Sequence, residues 1–285
     1  MANYYCLMAG APELALTDAK PQVSVVEFRE QASMELSSLD ARILEQYFFL
    51  EEDCRNLVRL LKNPDAELLP GGNYSREPFE DRIKSAREIN FNVHRYPAFM
   101  SEFARQWTYN KDVEGYFPED EITYQFYNYV ICNCRNAFVR RWYELNLDIN
   151  NILTAVLARQ QGRSVGDFIK GDNEVTEMIR ENKTRDFDLS HEFDYVKDLM
   201  KIVDEPDPVN KERMIDSMKW LWLDEYTFFD PFNFEALFAY FCKLKIKERW
   251  ARLDVEQGKA TFENIIENLR GEARVPAEFK LNNDK

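Results

Sequence analysis

Turn-forming residues are scarce in this chain. Its 285 residues include only 9 Gly and 11 Pro, and neither occurs between Pro118 and Gly162. That uninterrupted span is far too long for a β-strand, which rarely exceeds about ten residues. An all-α fold is expected. Long hydrophobic runs are missing too. Stretches such as Tyr47 to Leu50 and Trp220 to Leu223 stop well short of the ~20 apolar residues that a membrane-spanning helix needs. The first residues, MANYYCLMAGAPEL, lack the basic start and continuous apolar core of a secretory signal, which points to the cytoplasm. Basic residues are in deficit, 37 against 51 acidic ones, for a formal net charge of -14. A field of that sign repels nucleic acid and anionic lipid, so neither is expected as a general partner.

Histidine is almost absent. A di-iron carboxylate site on helices needs Glu-x-x-His twice; the sequence has none, and His94 and His191 are its only imidazoles. Asp188-x-x-His191 is a weaker variant, placed beside Ser190 at a helix start, where such residues cap rather than ligate. Cys6, Cys54, Cys132, Cys134 and Cys242 are an odd number of cysteines scattered through helical sequence, which fits reduced thiols. Cys132 and Cys134, two positions apart on a helix, point about 200° away from each other and read as ordinary core or boundary residues. A phosphate-cradling loop, a Gly-x-Ser-x-Gly elbow and an aspartate-rich magnesium motif are also missing. No cofactor, metal or catalytic residue is expected.

Apolar and aromatic side chains, by contrast, make up 45% and 14% of the chain, enough for a substantial core. Val25 to Leu36 and Leu39 to Leu61 read as helices, the second led by Ser38 as N-cap. Ile43, Tyr47, Leu50, Cys54, Leu57 and Leu61 form one apolar stripe on it. Pro64, Pro70, Gly71 and Gly72 mark Asn63 to Pro78 as a loop, the best candidate for a mobile insertion or lobe boundary. Helices follow at Glu80 to Ile89 and Ala98 to Tyr109, and then Asp120 to Gln161, expected to be the longest helical element. As one straight helix it would reach about 60 Å, so a break near Asn146 to Asp148 is expected. Asn173 to Asn182 and Glu192 to Val203 precede a sharp linker at Asp204 to Pro208; Asn210 to Tyr226, Phe234 to Gln257 and Thr261 to Leu269 come after it, with a polar tail from Gly271. Three helical lobes result, 1–118, 119–204 and 205–285, in an elongated or funnel-like bundle.

The most informative stretch is Trp142 to Ile169. It is an amphipathic helix with Asp148 and Asn151 one turn apart, ended by Gly162 and followed by a shorter helix. The pattern returns in degraded form at Phe241 to Ile266, with Gln257-Gly258 where Gln161-Gly162 stood. A repeated helix-Gly-helix unit suggests a modular scaffold, which acts through surfaces rather than chemistry. Asp148 and Asn151 read as setters of helix-helix register, with acid-base chemistry as the alternative. Arg135, Arg140, Arg141 and Arg159 put positive charge on a negative protein, either to pair with its own carboxylates or to dock a partner. Trp220, Trp222, Phe228, Phe229, Phe232, Phe234, Phe238, Tyr240 and Phe241 are either core between two helices or the lining of a ligand pocket.

Leu147-Asp148-Ile149-Asn150-Asn151-Ile152-Leu153-Thr154, followed by Leu157-Ala158-Arg159 and Gly162, resembles a signature of the C subunit of V/A-type (vacuolar-type) rotary ATPases, the equivalent of the d subunit in eukaryotic vacuolar pumps. In that family an Asp-Ile/Leu-x-Asn-Ile/Leu segment leads to an Arg-Ala-Lys-like element and a Gly. Phe234 to Gly258 is similar to the family's C-terminal helix. Leu157 stands where the family has Arg, Arg159 takes its Lys position, and Lys245 replaces an acidic residue. The resemblance implies a divergent bacterial member of that family, a funnel of three related helical lobes. Such a protein has no catalytic site. It seats on the membrane rotor ring, peripheral to the inner membrane, and receives the central stalk formed by the D and F subunits. Asp148, Asn151, Arg159, Gly162 and Gly258 would then be structural, and Arg135, Arg140 and Arg159 would contact the stalk. The alternatives are a free-standing helical adaptor and a small-ligand-binding helical protein that uses the aromatic cluster.

Overall fold

The computed structural model describes residues 3–16, 20–85 and 97–272, with side chains as far as Leu253. His94, the end of the expected Glu80 to Ile89 helix and the tail beyond Glu272 lie outside the described residues. The fold is all-α, with no strand among the described residues. In chain order the helices are α1 (Tyr5–Gly10), α2 (Val25–Ser33), α3 (Ser38–Leu44), α4 (Leu50–Lys62), α5 (Arg76–Ser85), α6 (Ala98–Asn110), α7 (Pro118–Asn133), α8 (Ala137–Gln160), α9 (Glu174–Glu181), α10 (Asp194–Val203), α11 (Pro208–Thr227) and α12 (Phe234–Glu272). No helix among them is long and apolar enough to cross a membrane.

Local chemistry sets most of the starts. Ser24 and Glu27 form a reciprocal capping box at α2, and Asn173 with Thr176 does the same at α9. Pro118 opens α7 ahead of Glu119, Asp120 and Glu121, whose charges favour the helix N-terminus. Asp207 caps α11, which begins at Pro208. Ser37 rather than Ser38 caps α3, and its Oγ accepts the Asp40 amide.

The expected Leu39 to Leu61 helix is continuous but changes winding. Glu45–Phe49 forms a π-helical turn between α3 and α4, which leaves backbone carbonyls off the α ladder. Two of these carbonyls find side-chain donors: Asn73 Nδ2 donates to Glu45 O at 2.9 Å, and the Tyr143 hydroxyl to Tyr47 O. The turn brings Phe48 and Phe49 into the core, where both rings pack on Phe241 and Phe48 also meets Phe238 edge-on.

Three expectations need correction. The long segment breaks at Cys134 to Asn136, not at Asn146 to Asp148. There the backbone turns extended, and Asn136 Oδ1 caps α8 by accepting the Val139 amide. Asn146 disturbs nothing because its amide donates to Trp142 O within the helix. The longest helix is not Asp120 to Gln161 but α12, with 39 residues against 24 in α8. α12 also runs through Gly258 without a break, so the helix-Gly-helix echo of Gly162 does not exist there. A mid-helix Gly costs only ~1 kcal/mol, and Lys259 and Ala260 beyond it are good helix formers.

Buried side chains fall into two clusters divided within α8. The first joins α2, the π turn, α4, α6, α7, Phe138 to Tyr143 of α8 and the start of α12. The second joins Leu145 to Val156 of α8 with α9, α10 and the front of α11. Trp222 borders both and stacks on Phe138 at 5.5 Å. Asp216 of α11 ties that helix to α12 by accepting from Trp250 Nε1 at 2.7 Å and from Arg249.

The loop expected over Asn63 to Pro78 ends before Arg76, where α5 begins, and buried polar groups of α4 hold it rather than leave it a mobile insertion. Asn56 exchanges two hydrogen bonds with Leu69, donating to its carbonyl at 3.0 Å and accepting from its amide at 2.7 Å. The buried Asp53 carboxylate accepts the backbone amides of Asn73 and Tyr74 and the Asn73 side chain, at 2.9 to 3.1 Å. Arg29 donates to the carbonyls of Gly71 and Gly72 and lies 3.9 Å over the Phe49 ring. A Cβ at Gly72 would collide with the Asp53 carboxylate. We therefore expect Gly72→Ala to cost about 1 to 3 kcal/mol in thermal or denaturant unfolding. Gly166→Ala, at a glycine with open space around it, should stay within about 0.5 kcal/mol of wild type.

Candidate functional site

α7 and α8 form an antiparallel hairpin closed by the tight turn at Cys134 to Asn136, so the start of α7 faces the end of α8. Near the closed end, Phe126 and Tyr127 pack on Tyr143 with ring centroids 5.3 and 5.4 Å apart. Toward the open end the helices enclose a cavity of about 690 Å³. Tyr116, Phe117, Asp120, Glu121, Tyr124 and Tyr127 line one wall; Leu147, Asn150, Asn151, Thr154, Leu157 and Gln161 line the other. Arg163, Asp167, Phe168 and Lys170, from the turn after α8, close the third side.

That third wall is positioned by the two residues the sequence singled out. Asn151, buried, donates from Nδ2 to Lys170 O and accepts from Lys170 N, both at 2.8 Å. Lys170 in turn reaches across the cavity to Glu121 at 3.0 Å. One turn earlier, Asp148 accepts Asn173 Nδ2 at 2.7 Å and the Tyr195 hydroxyl at 3.3 Å, so the cap of α9 and the face of α10 are both referred to α8. Burial pushes the Asp148 carboxyl up to about 6, assisted by Glu144 and opposed by the two donors. Burial and the same carboxylate also raise the Tyr195 hydroxyl far above its ordinary range. Between these anchors Gly171 takes a positive φ of 92° and packs against Tyr124 and Leu147, a backbone conformation that L side chains rarely adopt.

Gly162 ends α8 in the left-handed conformation, φ 67°. The Arg163 amide returns to Ala158 O at 2.9 Å, the long bond of a Schellman stop. Arg159 is not a free docking residue. Its guanidinium donates to the carbonyls of Asn182, Lys183 and Thr184 and stacks 4.0 Å over Phe187. Beside that ring, Phe187 and Asp188 are the only non-glycine residues with positive φ among the described residues. Arg140 pairs with Glu144 at 3.7 Å and donates to Cys134 O, and Arg141 donates to the Tyr226 hydroxyl. Arg135 alone of the expected docking trio is exposed and makes no hydrogen bond or ion pair among the described residues, although its charge lies near the Tyr47 hydroxyl. It lies on the order of 35 Å along α8 from Arg159, so Arg135, Arg140 and Arg159 do not form one patch.

The aromatic run divides. Trp220, Phe234, Phe238, Tyr240 and Phe241 are buried core, whereas Phe228 and Phe229 in the α11–α12 turn are 75% and 94% exposed. Trp222 is half-buried, and Phe232 meets Tyr5 at 4.5 Å. Cys132 is exposed and Cys134 buried at the α7 C-cap. His191, exposed, ends a 3-10 turn that begins at buried Leu189, and no group of three His, Cys, Asp or Glu side chains among the described residues is placed to hold a metal.

A second copy of the Asp148/Asn151 arrangement escapes a sequence reading centred on Gly162. Asp53-x-x-Asn56 on α4 holds its return loop by the same geometry: a two-way amide exchange from the Asn, and an Asp that takes the side chain of an Asn farther along. Both carboxyls are pushed up to about 6, in each case chiefly by burial. The signal is present in the letters, Asp-x-x-Asn followed by Leu or Ile on an amphipathic helix, then a loop that ends in Gly-Gly-Asn73 or Gly-Asp-Asn173.

The structure is thus an all-helical scaffold with two Asp-x-x-Asn clamps and an open groove beside the second. The chain belongs to the family described as protein of unknown function DUF2764, whose pattern matches residues 1–273. No curated protein and no solved structure matches it.

Two substitutions test the clamp. Asn151→Leu should cost about 1 to 3 kcal/mol in unfolding experiments, since it strands both backbone groups of Lys170. Asp148→Asn keeps the acceptor for Asn173 and offers a donor to Tyr195. Because the folded carboxyl titrates near 6, above its unfolded value, its contribution to stability declines as pH rises from about 4 to 6 and stays low above that. Asp148→Asn should therefore gain up to about 3 kcal/mol relative to wild type at pH 8 compared with pH 4. An equal difference at both pH values would show that the carboxyl is not perturbed.

Proposed function

We propose that this protein is the non-catalytic coupling component of a V/A-type rotary ATPase, a socket that links the central stalk of D and F subunits to the membrane rotor ring on the cytoplasmic side of the inner membrane. The observation that carries this reading is the doubled clamp. The rotary-ATPase family that Leu147 to Gly162 resembles has an Asp-x-x-Asn segment on a helix and a funnel of related helical lobes, so a repeat of that segment's device within one chain is in keeping with it. Here that device occurs on α4 and α8, each time pinning the loop that returns from its helix.

The physical demands of the role point the same way. A torque-bearing socket needs stiffness more than chemistry. Here α8 contributes to both cores, and buried amides rather than surface ion pairs hold the loops. ATP turnover in such a complex belongs to other components, and this chain supplies no phosphate-binding loop of the Walker type.

Co-expression with the D and F subunits of the same organism, followed by size-exclusion chromatography, tests the proposal. Co-elution is expected, as is capture of detergent-solubilised ring, with association faster at low salt than at high salt. Clean separation from both stalk and ring would leave a free-standing helical adaptor as the surviving reading.

A further inference from the structure

The groove at the open end of the α7–α8 hairpin combines apolar surface, unpaired negative charge and length in one place. Phe117, Leu157 and Phe168 line it and are 64%, 54% and 39% exposed, an apolar rim that water covers in the isolated chain. A small molecule seated among Tyr124, Tyr127 and Leu147 at the floor would leave that rim wet, whereas a polypeptide lying along the groove would cover it. From Leu147 to Gln161 the α8 wall runs about 20 Å, the length of a helix of roughly four turns. The lining is acidic in balance, with three carboxylates against two cations. Lys170 pairs with Glu121, and Arg163, exposed, lies 5.8 Å over the Phe168 ring. Asp120 and Asp167 line the same groove without an ion-pair partner among the described residues, with exposed Glu114 just before the α7 wall. Burial and neighbouring Glu119 raise the Asp120 carboxyl against the opposing pull of Lys170. The Tyr116 hydroxyl on this wall is buried with no hydrogen-bond partner.

We propose that this groove docks a basic amphipathic helix of a partner protein, whose apolar face covers Phe117, Leu157 and Phe168 and whose Lys or Arg side chains meet Asp120 and Asp167. Asn151 is then a positioning residue for the interface, because its grip on the Lys170 backbone sets the third wall. The groove inference stands on these residues alone; equating the helix with part of the D–F stalk rests on the rotary-coupling reading.

A labelled helical peptide of about fourteen residues, with Leu at the apolar positions and Lys elsewhere, tests the groove by fluorescence anisotropy against the full chain. A twin peptide with each Lys replaced by Glu is the control. The Lys peptide should bind in a salt-sensitive manner and the Glu peptide should not. Leu157→Ser with Phe117→Ser, or Asp120→Asn with Asp167→Asn, should each weaken the Lys peptide about tenfold or more. Leu221→Ser, at an exposed site outside the groove, should leave binding unchanged. All these positions are exposed, and unchanged melting temperatures will verify that the variants fold. Equal binding by wild type and both double variants, or by the Glu peptide, overturns the inference. The same variants are then mixed with the D–F stalk. A stalk complex that forms and ignores them sinks the groove and spares the coupling reading. A peptide that obeys them beside a stalk that never binds does the reverse.

Discussion

A buried side-chain amide that gives one hydrogen bond to a returning residue and takes another from it is the constraint on which this structure turns. Asn151 does this with Lys170, and Asn56 with Leu69. Two antiparallel bonds to one residue fix both the position and the orientation of the loop, as a ladder pair does in a sheet, although no sheet is present among the described residues. Much of the surrounding structure follows from that placement. Holding Lys170 brings its ammonium to Glu121 and puts Gly171 against Tyr124; holding the 69–74 loop delivers Asn73 to the carbonyl that the π turn sets free.

The aspartate of each pair sharpens the arrangement at an energetic cost. Asp53 and Asp148 are buried, and both carboxyls titrate near 6 because the donors around them do not fully offset desolvation. An apolar residue would be less costly in each place. It would accept several packings of the loop, whereas a carboxylate is satisfied only when Asn73 or Asn173 arrives with its donors aligned. The cap of α9 uses this directly. Asn173 turns its oxygen to the Thr176 amide and its nitrogen to Asp148, so one side chain starts a helix and anchors it. α8 is built into both cores, a shared element of the kind that the proposed coupling role calls for.

Several features are legible in the letters for reasons that can be named. Helix starts at Ser24, Asn173 and Asp207 follow from caps within three residues, and the Gly162 stop follows from a left-handed position that Gly takes without strain. The break before α8 is misplaced by sequence reasoning because Asn146 and Asp148 look like interruptions of an apolar stripe. In the fold their polar atoms are satisfied, one within the helix and the other by α9 and α10. Gly258 misleads for the opposite reason: a glycine stops a helix when the chain beyond it turns away, and the letter alone does not say whether it will. Pro64, Pro70 and the glycines at 71 and 72 signal irregular backbone correctly but suggest mobility, since nothing local shows that Asp53 and Asn56 hold that backbone.

The sequence by itself determined the helical class through its scarcity of breakers, the two motif residues of α8 and the charge balance. Each of these depends on composition or on neighbours within about one helical turn. Tertiary structure alone decided that Arg159 is spent on the carbonyls of residues 182–184 and that half of the aromatic run is core while Phe228 and Phe229 stand in water. It also decided where the groove lies. Asp120 to Gln161 reads as one long helical segment, and an opening between its two helices exists only once the hairpin closes at Asn136 and Asn151 sets the place of the 163–170 turn. Partners far apart in sequence leave no local periodicity, because their spacing is set by loop length and packing rather than by the helical repeat.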